Sequence, residues 1–341
     1  MSLIFLQTAW FILIGVLIAG YAVLDGFDLG VGSLYLFTKD DTQRAVMRNS
    51  IAPFWDGNEV WLLTGGGAIF AAFPEVYATV FSGFYLALIL LLAALIFRGT
   101  SIEFRGKVEK PGHKKFFDVA IFMGSILPPV LLGVAFGNIM RGIPVDAAKE
   151  FSGTFFTLLN PYAVLVGLVS LVMFWMHGGI YLAMKSEGLL QDKAKGWALR
   201  SWTAFTVLYA AAIAASFFFA KARMDAFISS PAGWAFGAVA VLGLFSIRCA
   251  VKAGNFGRAF IYSSLTIIGV IGAAAAGLFP NLVPSTYGDE FSLTVMNSSS
   301  SQLTLSVMLL LAGIGVPIML VYSIYIYRAF RGKVSASEEG Y

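Results

Sequence analysis

Gly20-Tyr-Ala-Val-Leu-Asp-Gly-Phe-Asp-Leu-Gly-Val-Gly32 and Trp55-Asp-Gly-Asn-Glu-Val-Trp61 each set two carboxylates inside an apolar run. The first pair is Asp25 and Asp28, the second Asp56 and Glu59. Both are spaced i, i+3, so each pair shares one face of a helix. A carboxylate within a spanning helix costs at least about 2.5–3.5 kcal/mol on insertion scales, so it marks an ion or proton path or a buried contact.

The flanking sequence makes these helices membrane spans. Hydrophobic residues are 58% of the chain and charged residues 12%, and the mean hydropathy is +0.81. These values exclude a soluble globular protein. A span needs roughly 20 mostly apolar residues. The stretches that qualify run about 9–38, 51–74, 78–97, 117–140, 158–184, 199–220, 232–250, 259–279 and 303–328. The expected fold is therefore an all-α integral membrane protein with nine transmembrane helices. It forms a single polytopic domain over 1–341, divided into helices 1–4 (about 9–140), helices 5–8 (about 158–279) and a peripheral ninth helix. The N-terminus lacks a basic n-region and the first apolar run is too long for an h-region, so a retained helix is expected there.

All but four of the 23 Lys and Arg residues lie after helices 1, 3, 5 and 7 or in the C-terminal tail. The exceptions are Arg141, Lys149, Lys221 and Arg223. The positive-inside rule then puts the N-terminus outside and the C-terminus in the cytoplasm. The net charge of +4 is explained by topology and is no nucleic-acid footprint. Connections are short; the segment 280–302 reads as an ordered loop ending in an N-cap for helix 9. Gly26 and Gly30 form a small-xxx-small pair and Gly65-Gly-Gly67 follows the second acidic cluster, so helices 1 and 2 are expected to pack closely, together or against a partner.

With this topology Asp25 lies near mid-membrane, Asp28 one turn closer to the cytoplasm, and Asp56 and Glu59 in the cytoplasmic half. Arg98 and Glu103 flank the inner mouth of helix 3. Two readings stand for the set. Burial disfavours the charged carboxylate, which suits these groups to carrying protons near neutral pH. Equally, they can bond across helices or pair with Arg98. No comparable acids mark an external mouth, so a conducting path would be a half-channel delivering protons to a reaction centre.

Only two histidines are present, His113 in a loop and His177 in helix 5. A bis-histidine haem needs two facing intramembrane histidines, so His177 is expected to be a packing contact and the chain to bind no redox cofactor or metal. A lone Cys249 excludes an internal disulfide. Trp55, Trp61, Phe54, Phe70 and Phe73 surround the second acidic pair; such aromatics pack helices, anchor at the interface, or line a dry corridor for an apolar gas. A secondary transporter using the acids for proton coupling is the alternative from another class, since Asp25 with Gly26 and Gly30 has the look of a broken-helix site.

The two opening motifs, the longer run Asn-Ser-Ile-Ala-Pro-Phe-Trp-Asp-Gly-Asn-Glu-Val-Trp-Leu (49–62), Ala-Phe-Pro (72–74) with Tyr77, Phe-Arg-Gly (97–99) and Glu103-Phe-Arg105 resemble subunit II of cytochrome bd-type quinol oxidases. So do Pro-Pro (128–129), Gly-Val-Ala-Phe-Gly-Asn (133–138), Leu-Asn-Pro (159–161) and Ser-Gln-Leu-Thr (301–304). The resemblance covers essentially the whole chain. It implies a heterodimeric terminal oxidase of a bacterial or archaeal cytoplasmic membrane, oxidising quinol, reducing dioxygen to water and generating a proton gradient. The b-type and d-type haems would sit in subunit I, which this chain stabilises; a structurally bound quinone and a small single-helix third subunit are left open. Carried over by position, the resemblance assigns Asp56 to the cytoplasmic proton path. Glu103 stands where a relative has aspartate, and Trp61 would mark an oxygen channel. Position 54 is Phe where some relatives have His, so no proton role attaches to it.

Overall fold

The structure is a computed structural model and describes residues 1–336. In chain order the helices are α1 (Leu3–Leu34), α2 (Asp41–Ile51), α3 (Trp55–Ala72), α4 (Pro74–Gly83), α5 (Tyr85–Phe104), α6 (Pro111–Arg141) and α7 (Phe155–Leu158). They continue with α8 (Pro161–Lys185), α9 (Gly188–Phe219), α10 (Lys221–Ser229), α11 (Pro231–Lys252), α12 (Phe256–Leu278) and α13 (Gln302–Ala329). A two-stranded antiparallel pair, β1 (Asn281–Val283) and β2 (Leu293–Thr294), orders the segment before α13.

Among the described residues, eight helices are long and apolar enough to cross a membrane, rather than the nine expected. The one that falls short is α3. It has 18 residues, about 27 Å of helix, and carries Asp56, Asn58 and Glu59 within its first turns. Pro74 then opens α4 and Tyr85 opens α5, so the third expected span begins later than its hydropathy indicated. α9 extends well before 199, because Gln191-Asp-Lys-Ala-Lys195 continues the helix with polar residues that a hydropathy window ignores.

Local chemistry sets the helix ends. Asn160 and Ser230 cap α8 and α11 by accepting the N–H of Ala163 (3.0 Å) and Gly233 (3.2 Å), each followed by proline at the first helical position. Ser301 caps α13 through the Thr304 N–H at 3.2 Å, as expected for this loop. Inside α6, Pro129 removes the N–H that would bond the Ser125 carbonyl. The Ser33 hydroxyl of α1 lies 2.8 Å from that carbonyl and 2.6 Å from the Leu29 carbonyl of its own helix, sharing its one proton between them.

α1 and α8 form the centre of the bundle, and α8 also packs on α6, α9 and α12. α1 meets α8 where Gly30 faces Gly178: a Cβ at 178 would lie 2.5 Å from the Gly30 carbonyl carbon. This backbone approach, with Gly26 facing Phe174 of α8, is where the small residues of helix 1 are used. The glycines of α3 are not, since Gly65 meets only Leu17 at 3.9 Å and Gly67 meets nothing within 4 Å. α13 is peripheral and packs on α1 and α3.

Candidate functional site

Arg98 joins three helices. It comes from α5, is fully buried, and its Nη2 donates to Asp25 Oδ1 on α1 (2.6 Å) and to Glu59 Oε1 on α3 (2.9 Å). Glu59 is the rim of the group, with 20% of its side chain exposed against none for Asp25 and Arg98. The sequence reading that Arg98 pairs with these acids is thus met by Asp25 and Glu59 together.

Asp28 enters by a different route. Its Oδ2 accepts from Asn58 Nδ2 at 2.6 Å, and the same amide nitrogen donates to the Leu24 carbonyl at 3.2 Å. A carbonyl only accepts, so the Leu24 contact fixes which end of the Asn58 amide faces α1. The other end, Oδ1, accepts from the Tyr327 hydroxyl of α13 at 2.9 Å. Asp25 Oδ2, Asp28 Oδ1, and Arg98 Nε and Nη1 are also buried in this region with no hydrogen-bond partner among the described residues. Such a concentration of unpaired polar atoms suits ordered water or shared protons.

The structure does not bring Asp56 and Glu103 into that cluster. Both are exposed on the isolated chain, with Glu103 accepting a hydrogen bond from Trp55 Nε1 at 3.3 Å. Asp56, expected in the cytoplasmic half of the membrane, stands on the outward face of α3 beside exposed Val60 and Leu63. The i, i+3 spacing puts it one turn from Glu59, which turns in to Arg98, but does not say which way Asp56 itself faces. Trp61 is buried and its indole packs against Gly20.

Sequence reasoning missed Asn58 and Tyr327, which act across 269 residues of chain. It also missed a second ionic group at the same end of the bundle. Asp118 of α6 accepts from Arg105 Nε and Arg44 Nη1, both at 2.8 Å, and Arg105 reaches Asp41 at 3.0 Å. These bonds hold α2 against the ends of α5 and α6.

His177 is fully buried, its Nε2 donating to the Val23 carbonyl at 2.9 Å and its Nδ1 lying 2.7 Å from Ser263 Oγ. Both ring nitrogens are engaged within the protein, and His113 is exposed in the first turn of α6. The histidines present do not fit axial ligation of a haem. Among the described residues no group of three His, Cys, Asp or Glu side chains is placed to hold a metal ion.

A family sequence model described as cytochrome bd terminal oxidase subunit II matches residues 6–330. The chain belongs to that family. The subunit 2 of cytochrome bd-I ubiquinol oxidase from Escherichia coli strain K12 is 39% identical, over 98% of this chain and 96% of the relative. The subunit 2 of cytochrome bd ubiquinol oxidase from Bacillus subtilis is 36% identical, over 98% of each chain. A chain in the structure of bd oxidase from Geobacillus thermodenitrificans shares the fold, with a TM-score of 0.79 at 14% identity, covering 95% of this chain and 98% of that one. As a subunit II of the bd oxidase family, the protein is a multi-pass membrane component of a respiratory oxidoreductase complex, and membership implies both a partner subunit I and haems in the complex.

Proposed function

We propose that this chain is the haem-free subunit II of a heterodimer that oxidises quinol and reduces dioxygen to water. In this reading it stabilises subunit I and delivers protons from the Lys- and Arg-rich side of the membrane. The Asp25–Arg98–Glu59 cluster carries the proton reading. Asp25 and Glu59 pair with one guanidinium, and Asp28 lies beside them on Asn58, in a bundle interior where unbalanced charge is costly; three carboxylates against one cation leave excess negative charge, which protons held among them would offset. Glu59 at the rim, with Asp56 one turn away, is the side from which protons exchange.

An outward-facing Asp56 at span level would be expensive in lipid. That supports covering the α3–α5 face, including Glu103, with the haem-bearing subunit I. The remaining topology follows the charge bias: α3 as a short second span among nine, two four-helix halves followed by α13, the N-terminus outside and the C-terminus cytoplasmic. Trp61 is assigned to the oxygen route, while a small third subunit and a structural quinone are compatible with the chain. Ubiquinol, named for the Escherichia coli and Bacillus subtilis relatives, is the substrate class. The family assignment lends no support to a proton-coupled transporter.

The test is an absorption spectrum of the complex purified through this chain. The expected result is b- and d-type haem bands with every haem ligated by the partner; a colourless complex, or a haem ligated within this chain, overturns the reading. For Trp61→Phe, oxygen rebinding after flash photolysis is expected to change rate with assembly intact. Rebinding at the wild-type rate removes Trp61 from the oxygen route.

A further inference from the structure

α8, α12 and α13 end or begin at one level of the bundle, at Lys185, Phe256 and Ala329, which are also the limits of three apolar spans. The chain beyond α13 turns back across the end of α8. Gly332 makes the turn with φ 110°, a conformation that favours glycine. Val334 N–H then donates to the Lys185 carbonyl at 2.8 Å and Lys333 Nζ to the Ser186 carbonyl at 2.7 Å.

Between this strap and the helix ends lies a cleft of about 290 Å³. Tyr181, Phe260 and Tyr327 form its aromatic wall, while Lys185, Arg331 and Lys333 supply its charge. Among the described residues no carboxylate lines it. Lys333 also borders a shallower depression at the start of α12, formed by residues 253–257. The Arg331 guanidinium is exposed and makes no hydrogen bond or ion pair among the described residues. Lys333 has three N–H donors, of which the helix-end carbonyls take two at most, at Ser186 and at Ala183 (3.5 Å). Apolar side chains lie exposed on the adjoining turns of both flanking helices, Ile261 and Leu265 on α12 and Ile318 and Val321 on α13.

We propose that this cleft is a specific site for the phosphate headgroup of an anionic phospholipid, gripped by Arg331 and Lys333 beside the aromatic wall, with its acyl chains along the outer faces of α12 and α13. The three features that select this occupant are found together. Cations without carboxylates suit a phosphate, the level is that of a membrane–water boundary where basic residues attract anionic lipid, and aromatic rings favour the same interface. A free phosphate would use the cations but not the apolar approach.

The test is lipid titration of the purified two-subunit complex in detergent, read by native mass spectrometry, with phosphatidylglycerol, phosphatidylcholine and inorganic phosphate as probes. Phosphatidylglycerol is expected to bind about tenfold more tightly than phosphatidylcholine, and Arg331→Gln to remove most of that preference while Arg331→Lys retains it. Because Arg331 has no intramolecular partner among the described residues, these variants do not depend on refolding the strap; Lys333→Gln adds to the loss where it assembles. Inorganic phosphate at matched concentration is expected not to displace the lipid. Equal binding of the two lipids by wild type, or a preference unchanged in Arg331→Gln, overturns the proposal. Displacement by inorganic phosphate also overturns it by making this a free-anion site.

Discussion

Arg98→Gln is expected to abolish stable assembly or to lower the melting temperature of the complex sharply. Removing one member of a buried ion pair leaves the other charged and unpaired, which typically destabilises by about 3–5 kcal/mol. Here one guanidinium nitrogen serves two carboxylates, and Asp25 is fully buried beside it. Glu59 is partly exposed and loses less. The double variant Asp25→Asn/Arg98→Gln removes the stranded charge and is expected to recover a large part of the lost stability. Thermal unfolding of the purified complexes checks both. An Arg98→Gln complex that melts like wild type, or a double variant no better than the single, would mean that the ion pair does not hold α1 to α5.

Gly30→Ala is expected to be nearly as damaging, though it adds one methyl group. That methyl would overlap the Phe174 carbonyl oxygen and lie 2.8 Å from Gly178 Cα. Both obstacles are backbone of α8, so no side-chain rotation relieves them and the central helix pair must separate. Overpacking of this kind costs about 1–3 kcal/mol, occasionally more. Gly15→Ala is the control on the same helix, because nothing lies within 4 Å of a Cβ there. Its melting temperature is expected to match or slightly exceed wild type, since alanine is the better helix former. Equal effects at the two positions would contradict the packing argument.

The contrast between α3 and the other helices explains what could be read without coordinates. Apolar runs set the positions of α1, α6, α8, α11, α12 and α13 well, because lipid demands continuous apolarity and internally satisfied backbone bonds. Hydropathy failed where a helix outlasts its apolar part, as at the start of α9, and where proline and an acidic first turn interrupt it, as in α3 and α4. The site was legible to a similar depth. The i, i+3 spacing paired the acids, and topology set Arg98 at the inner mouth of the next span as their candidate partner. The direction in which α3 turns Asp56 depends on its packing against α1, which spacing does not encode. Nor does any local signal tie Tyr327 to Asn58, or Asp118 to Arg44 and Arg105, since each pair meets only after the bundle closes.

Asp56 is the most informative residue to change because it is exposed on the isolated chain and takes no part in the Arg98 ion pairs. The decisive measurement is proton uptake and quinol-driven oxygen consumption by the Asp56→Asn complex, compared with wild type at equal haem content. If protons reach the reaction centre past this residue, the variant assembles with its full haem complement and both rates fall by roughly tenfold or more. Wild-type uptake and turnover in a fully assembled variant would contradict a proton path through this subunit.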